Sequence, residues 1–227
     1  RNHMIDLALV WVGIIGLGVL IYVVMDGFDL GIGILFPFMN GTQERDVMMN
    51  TVAPVWDGNE TWMVLGGAGL FAAFPLVYST VLSALYLPII FMVVALIFRG
   101  VAFEFRFKAT RTKYLWDLAF IWGSILSSFF QGVILGAYIQ GIQTTNGIYS
   151  GGGWDWFTPF TCFTGLGVVV MYATLGCGWL IWKTEKEIQQ RMFHLMPRLI
   201  IALLIIFGAV SLYTPLTHPE IAQRWFS

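Results

Sequence analysis

An all-α, polytopic bundle of about six transmembrane helices is the fold class that this sequence predicts, and three observations predict it. Of 227 residues, 58% are hydrophobic and only 11% charged, whereas charged residues make up roughly a quarter of an ordinary soluble domain. Mean hydropathy is +0.77. Runs without a charge extend over 7–25, 61–98, 118–154, 156–182 and 199–219, and about 20 apolar residues suffice to cross a bilayer. The runs are unbroken rather than alternating, which argues against a β-barrel.

The first helix is expected over 7–38. No small-residue cleavage site follows it, so it reads as a retained span rather than a signal peptide. At 1.5 Å per residue, Asp26 and Asp29 come about 30 Å after its start, near the far edge of the hydrocarbon, and the helix is too long to stand upright. The two acids are three residues apart and face similarly, while Gly27 and Gly31 make a small-xxx-small surface that admits a neighbouring helix.

The second helix, 55–74, opens on "APVWDGNETW" (53–62). Pro54 suits a first turn, and Asp57 and Glu60 suit the positive end of the helix dipole or simply finish the terminus. Gly66, Gly67 and Gly69 offer a close-packing face. Pro75 and the residues before Ser79 predict a tight turn into the third helix, 78–108, where Pro88 predicts a kink. That helix ends in "FRGVAFEFRFKATRTK" (98–113), which brings Arg99, Glu104, Arg106 and Lys108 out of an apolar segment. Glu104 is spaced to pair with Lys108 at i,i+4. The fourth helix, 117–140, carries Gln131, read as an interhelical hydrogen bond, beside the small residues Gly132 and Gly136. A loop over 141–159 contains "NG" and "GGG". The fifth and sixth helices are expected over 159–183, with Gly165 and Gly167, and over 195–214.

Basic residues set the expected orientation. The loops after the first, third and fifth helices, with their helix ends, hold Arg45, Arg99, Arg106, Lys108, Arg111, Lys113, Lys183, Lys186, Arg191 and Arg198. The other side holds Arg1 and Arg224. Ten against two puts the first set in the cytoplasm and the N-terminus outside, with Trp154, Trp156 and Phe157 at the outer interface.

Several function classes lose support. A formal charge of −1, with no basic stripe and no phosphate-binding glycine loop, gives no nucleic-acid signal. Cys162 and Cys177 lack redox or zinc spacing and read as packing residues. His3, His194 and His218 offer no pair facing across the membrane, so a haem centre carried wholly by this chain is not expected; Met25, Met63, Met92 and Met171 read as packing. No zinc motif is present. The informative feature is the set Asp26, Asp29, Asp57 and Glu104, all on the inferred inner side, where acids can relay protons.

At "MDGFDLGIG" (25–33), "PVWDGNETWMVLGGAGLFAAFP" (54–75) and "FRGVAFEFRFKA" (98–109), the chain closely resembles subunit II of cytochrome bd-type quinol oxidases, nearest the cyanide-insensitive branch. The resemblance continues through "QGVILGAYIQGI" (131–142) and "LGCGWLIWKTE" (175–185). It implies a haem-free second subunit in the bacterial cytoplasmic membrane. The first subunit, of homologous fold, would carry three haems and the quinol site; a small single-helix subunit and membrane lipids are further expected partners. The complex would oxidise quinol and reduce dioxygen to water, taking protons from the cytoplasm. Acids matching Asp57 and Glu104 contribute to a proton route in the family, with Asp29 in the same neighbourhood, and Glu104 stands where some members have aspartate.

On this reading the proton-pathway residues are Asp29, Asp57, Glu104 and Asp26, supported structurally by Lys108, Arg99 and Glu60. No catalytic, cofactor-binding or metal residue is expected, and whether a structural quinone binds is left open. Family subunits are usually longer, with eight helices in two related four-helix units. Residues 1–141 are therefore read as the first unit and 142–227 as a partial second with about two helices. Two other functions stay open: an ion-coupled secondary transporter, suggested by glycine-interrupted helices with acids, and a purely structural assembly subunit.

Overall fold

The computed structural model describes residues 7–217 and 222–223. His3, His218, Arg1 and Arg224 lie outside them. Seven helices occur among the described residues: α1 (Leu7–Leu35), α2 (Thr42–Val52), α3 (Trp56–Ala73), α4 (Pro75–Phe105), α5 (Lys113–Gln140), α6 (Pro159–Lys183) and α7 (Lys186–Thr217). A 3-10 turn, Phe36–Phe38, extends α1. Strands β1 (Thr144–Thr145) and β2 (Ile148–Tyr149) pair antiparallel in the loop after α5.

Five of the helical segments, Leu7–Phe38, Pro75–Phe105, Lys113–Gln140, Pro159–Lys183 and Lys186–Thr217, are long and apolar enough to cross a membrane. The remaining expected span, α3, has 18 residues, about 27 Å at the helical rise. Its first turns carry Asp57, Asn59 and Glu60, which lower its hydropathy. It nevertheless packs lengthwise against α1 and α4.

The long helices alternate in direction. Short links reverse the chain between α3 and α4, α4 and α5, and α6 and α7. Across the longer connections Gly66 meets Val19 while Gly69 meets Ile15, and Gly132 meets Gly165 while Gly136 meets Thr161. Phe74 alone, at φ −136° and ψ 62°, joins α3 to α4, so the turn is tighter than the expected stretch up to Ser79, and Pro75 starts α4, where its missing N–H costs nothing. Leu85 leaves helical geometry at φ −120°, ψ 20°, one turn before Pro88. That is the kink expected where a proline ring displaces the carbonyl of the preceding turn. The last helix starts at Lys186 rather than near 195 because Pro197 is accommodated inside it. The short α2, polar on average, has too little apolar periodicity to stand out in the sequence.

α1 lies between α3, α5 and α6, and α5 lies between α4 and α6. Burial along α1 is uneven: apart from Gly18 and Tyr22, buried residues begin at Asp26, and 26–36 are all buried. The main core joins Leu30, Phe36, Met48, Phe103, Phe120 and Tyr172, from α1 and its 3-10 extension, α2, α4, α5 and α6. In lipid, helices associate through close packing and hydrogen bonds rather than through apolar transfer. The tightest seam is α1 on α6. A Cβ at Gly31 would collide with the Tyr172 carbonyl oxygen, and one at Gly176 would stand 2.6 Å from the Gly31 carbonyl carbon.

Not every small residue serves a seam. Gly66 and Gly69 face Val19 and Ile15 of α1, whereas Gly67 meets nothing within 4 Å. Trp154 and Phe157 are exposed as interfacial anchors should be, but Trp156 is buried and its Nε1 donates to the Gly153 carbonyl at 2.9 Å. The loop fold turns that ring inward to close a second, smaller core over Leu85 and Val133.

Candidate functional site

The long helices alternate, so the C-terminal ends of α1, α4 and α6 meet the N-terminal ends of α3, α5 and α7. Every described basic residue from Arg45 to Arg198 falls at or towards this end of the bundle, called here the basic end. Within it, α1 supplies Asp26 and Asp29, both 0% exposed. Arg99 of α4, also 0% exposed, places its guanidinium 2.9 Å from Asp26 Oδ1 and 3.5 Å from Glu60 Oε2. Asn59 of α3 donates from Nδ2 to Asp29 Oδ2 at 2.8 Å and, more weakly, to the Met25 carbonyl at 3.5 Å.

One guanidinium therefore stands against three carboxyl groups. The arginine is further enclosed by the rings of Trp56 and Phe103, 5.9 and 5.8 Å from its central carbon, and those rings stack on each other at 4.7 Å. Gly123 of α5 seals the back of the site: a Cβ there would stand 2.9 Å from the Arg99 backbone nitrogen. Removing an arginine and two aspartates from water costs several kcal/mol per ion, which only close pairing can offset. The offset is incomplete, since both Asp26 oxygens, Asp29 Oδ1 and the Arg99 nitrogens lack a well-aligned hydrogen bond. Unsatisfied buried polar atoms of this kind are uncommon in folded proteins.

Asp57 is exposed. With Glu60 it lines a groove of about 450 Å³ between α3 and α4, walled by Trp56, Met63, Val93 and Gly100. Glu60 thus connects the groove to the buried arginine. Glu104 is placed differently. It is 68% exposed at its side chain and pairs with Lys108 at 3.5 Å on the outer surface of α4, so the fold brings together Asp26, Asp29, Glu60 and Asp57 but leaves Glu104 with Lys108 apart from them.

Two features escape the sequence reading, and a third bears it out. The first is Asn59, hidden in the polar "WDGNETW" stretch. The second is an ion-pair clamp at the basic end. Buried Arg106 bridges Asp117 of α5 and Asp46 of α2, Arg45 reaches Asp117 at 2.8 Å, and Lys113 reaches Asp46 at 2.9 Å. The signal available for it was Asp117, an acid in the first turns of an otherwise apolar span. Burial pulls the Asp46 carboxyl up, but hydrogen bonds and charge from Lys113 and Arg106 outweigh it and hold the group below the usual carboxylate range. Glu44 is likewise lowered: against its burial act the Asn40 amide and Arg191, whose guanidinium lies 2.8 Å away and ties α2 to α7.

The third feature, a hydrogen-bonded bridge across three helices, is the interhelical hydrogen bond expected of Gln131, with partners that were not expected. Gln131 Nε2 donates to the Tyr22 hydroxyl at 2.8 Å, and the Tyr172 hydroxyl donates to Gln131 Oε1 at 2.7 Å. Gln131 thus joins α5 to both α1 and α6. Nothing in the sequence alone marks two tyrosines in separate spans as partners.

Of the side chains weighed as haem ligands, Met25 is exposed on α1 rather than packed as expected. His194 is exposed on α7 with its Nδ1 at 2.7 Å from the Gln190 carbonyl, and Met63, Met92 and Met171 pack against the core. Cys162 and Cys177 are free, the latter buried with its Sγ donating to the Met192 carbonyl. Among the described residues, no group of three or more His, Cys, Asp or Glu is arranged to hold a metal ion.

Comparison with known proteins matches residues 7–226 to the family described as cytochrome bd terminal oxidase subunit II. Similar relatives include cytochrome bd-I ubiquinol oxidase subunit 2 of Escherichia coli K12, 34% identical over 199 residues, which covers 83% of this chain and 52% of that protein. Cytochrome bd ubiquinol oxidase subunit 2 of Bacillus subtilis is 32% identical over 83% of this chain and 58% of its own length. A probable cytochrome oxidase subunit 2 of Haemophilus influenzae is 33% identical over 74% and 47%. The chain spans about half the length of the curated relatives it matches. With its family matched from the first span to the last helix, this helical membrane chain belongs to the cytochrome bd terminal oxidase subunit II family.

Proposed function

We propose that the chain is a haem-free accessory part of a membrane quinol oxidase, in which it stabilises a haem-bearing first subunit and supplies acidic residues to proton uptake from the cytoplasm. The oxidase reading rests on family membership. The proton reading rests on one observation: Asp26, Asp29 and Glu60 gather around a single buried guanidinium. In a low-dielectric site one positive charge offsets one carboxylate, so charge balance requires protons to reside on such a cluster. A cluster that must hold protons, and that opens through Glu60 and Asp57 to a groove at the basic end, is suited to take protons in and hand them on.

Each residue then has its own task. Asp57 and Glu60 collect protons at the mouth. Asn59 orients Asp29, and Arg99 anchors Asp26. Glu104 and Lys108 lie at the surface and tune the local charge rather than pass the proton inward. The partner's haems supply the electron transfer and the oxygen chemistry. The positive-inside argument places the basic end in the cytoplasm and the N-terminus outside, in a bacterial inner membrane.

The test is quinol-dependent oxygen consumption per haem in the assembled complex. Asp29→Asn is expected to slow turnover strongly, Asp57→Asn less, and Glu104→Gln least, all with normal haem content. Wild-type turnover in fully assembled Asp29→Asn would refute the proton role, and loss of assembly without loss of turnover per haem would leave a purely structural subunit.

A further inference from the structure

The two buried aspartates are one turn apart yet are held by different chemistry. Asp26 has a charged partner, Arg99, at 2.9 Å. Asp29 has a neutral one: Asn59 Nδ2 donates to Oδ2 at 2.8 Å, and Oδ1 has no partner. A carboxyl anchored at one oxygen by an amide, with the other oxygen free, can gain or lose a proton without losing its anchor. The groups facing the pair are Arg99 from α4, Asn59 and Glu60 from α3, Tyr22 on α1 itself, and Tyr172 from α6 behind Gly27.

Tyr22 lies four residues before Asp26 on the same helix face of α1, although no aligned hydrogen bond joins the two. Its oxygen already accepts from Gln131 Nε2 at 2.8 Å, and Gln131 Oε1 accepts from Tyr172 at 2.7 Å. The Tyr22 hydrogen is therefore left over, and the Asp26 oxygens lack a hydrogen-bond donor. The opposite amide orientation would use the Tyr22 hydrogen on Gln131, strand the Tyr172 hydrogen and leave Asp26 without any hydroxyl donor. Donor and acceptor counting thus fixes one direction along the chain, from Tyr172 through Gln131 and Tyr22 to Asp26.

We propose that Tyr172, Gln131 and Tyr22 form a one-way hydrogen-bond chain that holds Asp26 as the standing counter-charge of Arg99 and leaves Asp29 as the carboxyl that takes up and passes on the proton. This rests on the proton-uptake reading above. The three residues are positioning residues: they act through Asp26 and settle which of two adjacent acids is mobile in charge. Gly27 belongs to the device, since a Cβ there would stand 2.9 Å from Tyr172 Cδ1 and push its ring out of line. Successive hydrogen bonds in one direction polarise each other, which strengthens the last bond onto the charged acceptor.

The experiment uses the assembled complex with Tyr22→Phe, Gln131→Leu, Tyr172→Phe and Asp29→Asn. It reads turnover per haem across pH and the redox-induced infrared difference spectrum in the carboxyl C=O stretching region. Asp29→Asn should remove a band. Tyr22→Phe should add a second carboxyl band that a further Asp26→Asn substitution abolishes, and should cut turnover on the order of tenfold, the scale of one hydrogen bond to a charged group. Gln131→Leu should act in the same direction, and Tyr172→Phe, at the far end, least.

A parental spectrum and turnover in Tyr22→Phe and Gln131→Leu would overturn the proposal while leaving the proton route standing. A larger effect from Tyr172→Phe than from Tyr22→Phe would overturn the direction of the chain. Failure of Tyr22→Phe to assemble would assign its hydroxyl to packing and equally overturn it. Should Asp29→Asn leave both band and turnover unchanged, the underlying proton route is what fails.

Discussion

Replacing Arg99 with methionine removes the single guanidinium that faces Asp26, Asp29 and Glu60 while keeping an unbranched side chain of comparable reach between Trp56 and Phe103. At 2.9 Å and an effective dielectric constant of about 20, Coulomb's law gives roughly 6 kcal/mol for the Asp26 pair before desolvation. The 3.5 Å contact with Glu60 adds roughly 5 kcal/mol on the same basis, screened in part because Glu60 is 24% exposed. Much of this offsets the cost of burying the ions, so the expected net loss is that of stranding a buried charge, about 3–5 kcal/mol. Asp26→Asn should cost less, because Arg99 keeps Glu60 and its two aromatic neighbours.

The measurement is a double-mutant cycle on the detergent-solubilised complex, unfolded with denaturant and followed by tryptophan fluorescence, to which Trp56 reports directly. Arg99→Met combined with Asp26→Asn should recover at least about 1 kcal/mol relative to the sum of the single changes. Additivity within about 0.5 kcal/mol, or a cost below about 1 kcal/mol for Arg99→Met, would refute the claim that this pair governs the site.

Three further outcomes follow from the same geometry. Gly176→Val should separate α6 from α1, because its Cβ would stand 2.6 Å from the Gly31 backbone; the expected result is loss of folded yield, and normal thermal stability would contradict the described seam. The Asp46 carboxyl is lowered by Lys113 and Arg106, so between its native and unfolded values the unfolded chain binds more protons. That stability is fully present above the usual Asp value of about 3.9 and fades as pH falls through the lower native value. Asp46→Asn should flatten the acid limb of a stability titration, and an unchanged acid limb would show that the clamp carries no such linkage. Glu104→Gln should change stability by less than about 1 kcal/mol, since its pair with Lys108 is solvent-exposed; a larger loss in a thermal melt would mean that Glu104 has a partner beyond Lys108.

The sequence by itself determined the helical membrane class, the family and nearly every long helix. Those are local or cumulative properties, carried by uninterrupted apolar length, by Pro75 and Pro88, and by motifs such as "WDGNETW". It also put Asp26 and Asp29 on one helix face, because a three-residue spacing settles that without any neighbour. Only the tertiary structure decided what each acid means. Asp26 and Glu60 meet Arg99 across three helices, Asn59 reaches Asp29 from the helix that carries Glu60, and Glu104 makes the expected pair with Lys108 but on the outer surface, away from the other acids. Charge in a membrane takes its role from what lies within a few ångströms, and in this bundle the small residues that let helices close around the site are Gly66 and Gly69, where α3 meets α1, and Gly123, where α5 meets α4 at Arg99.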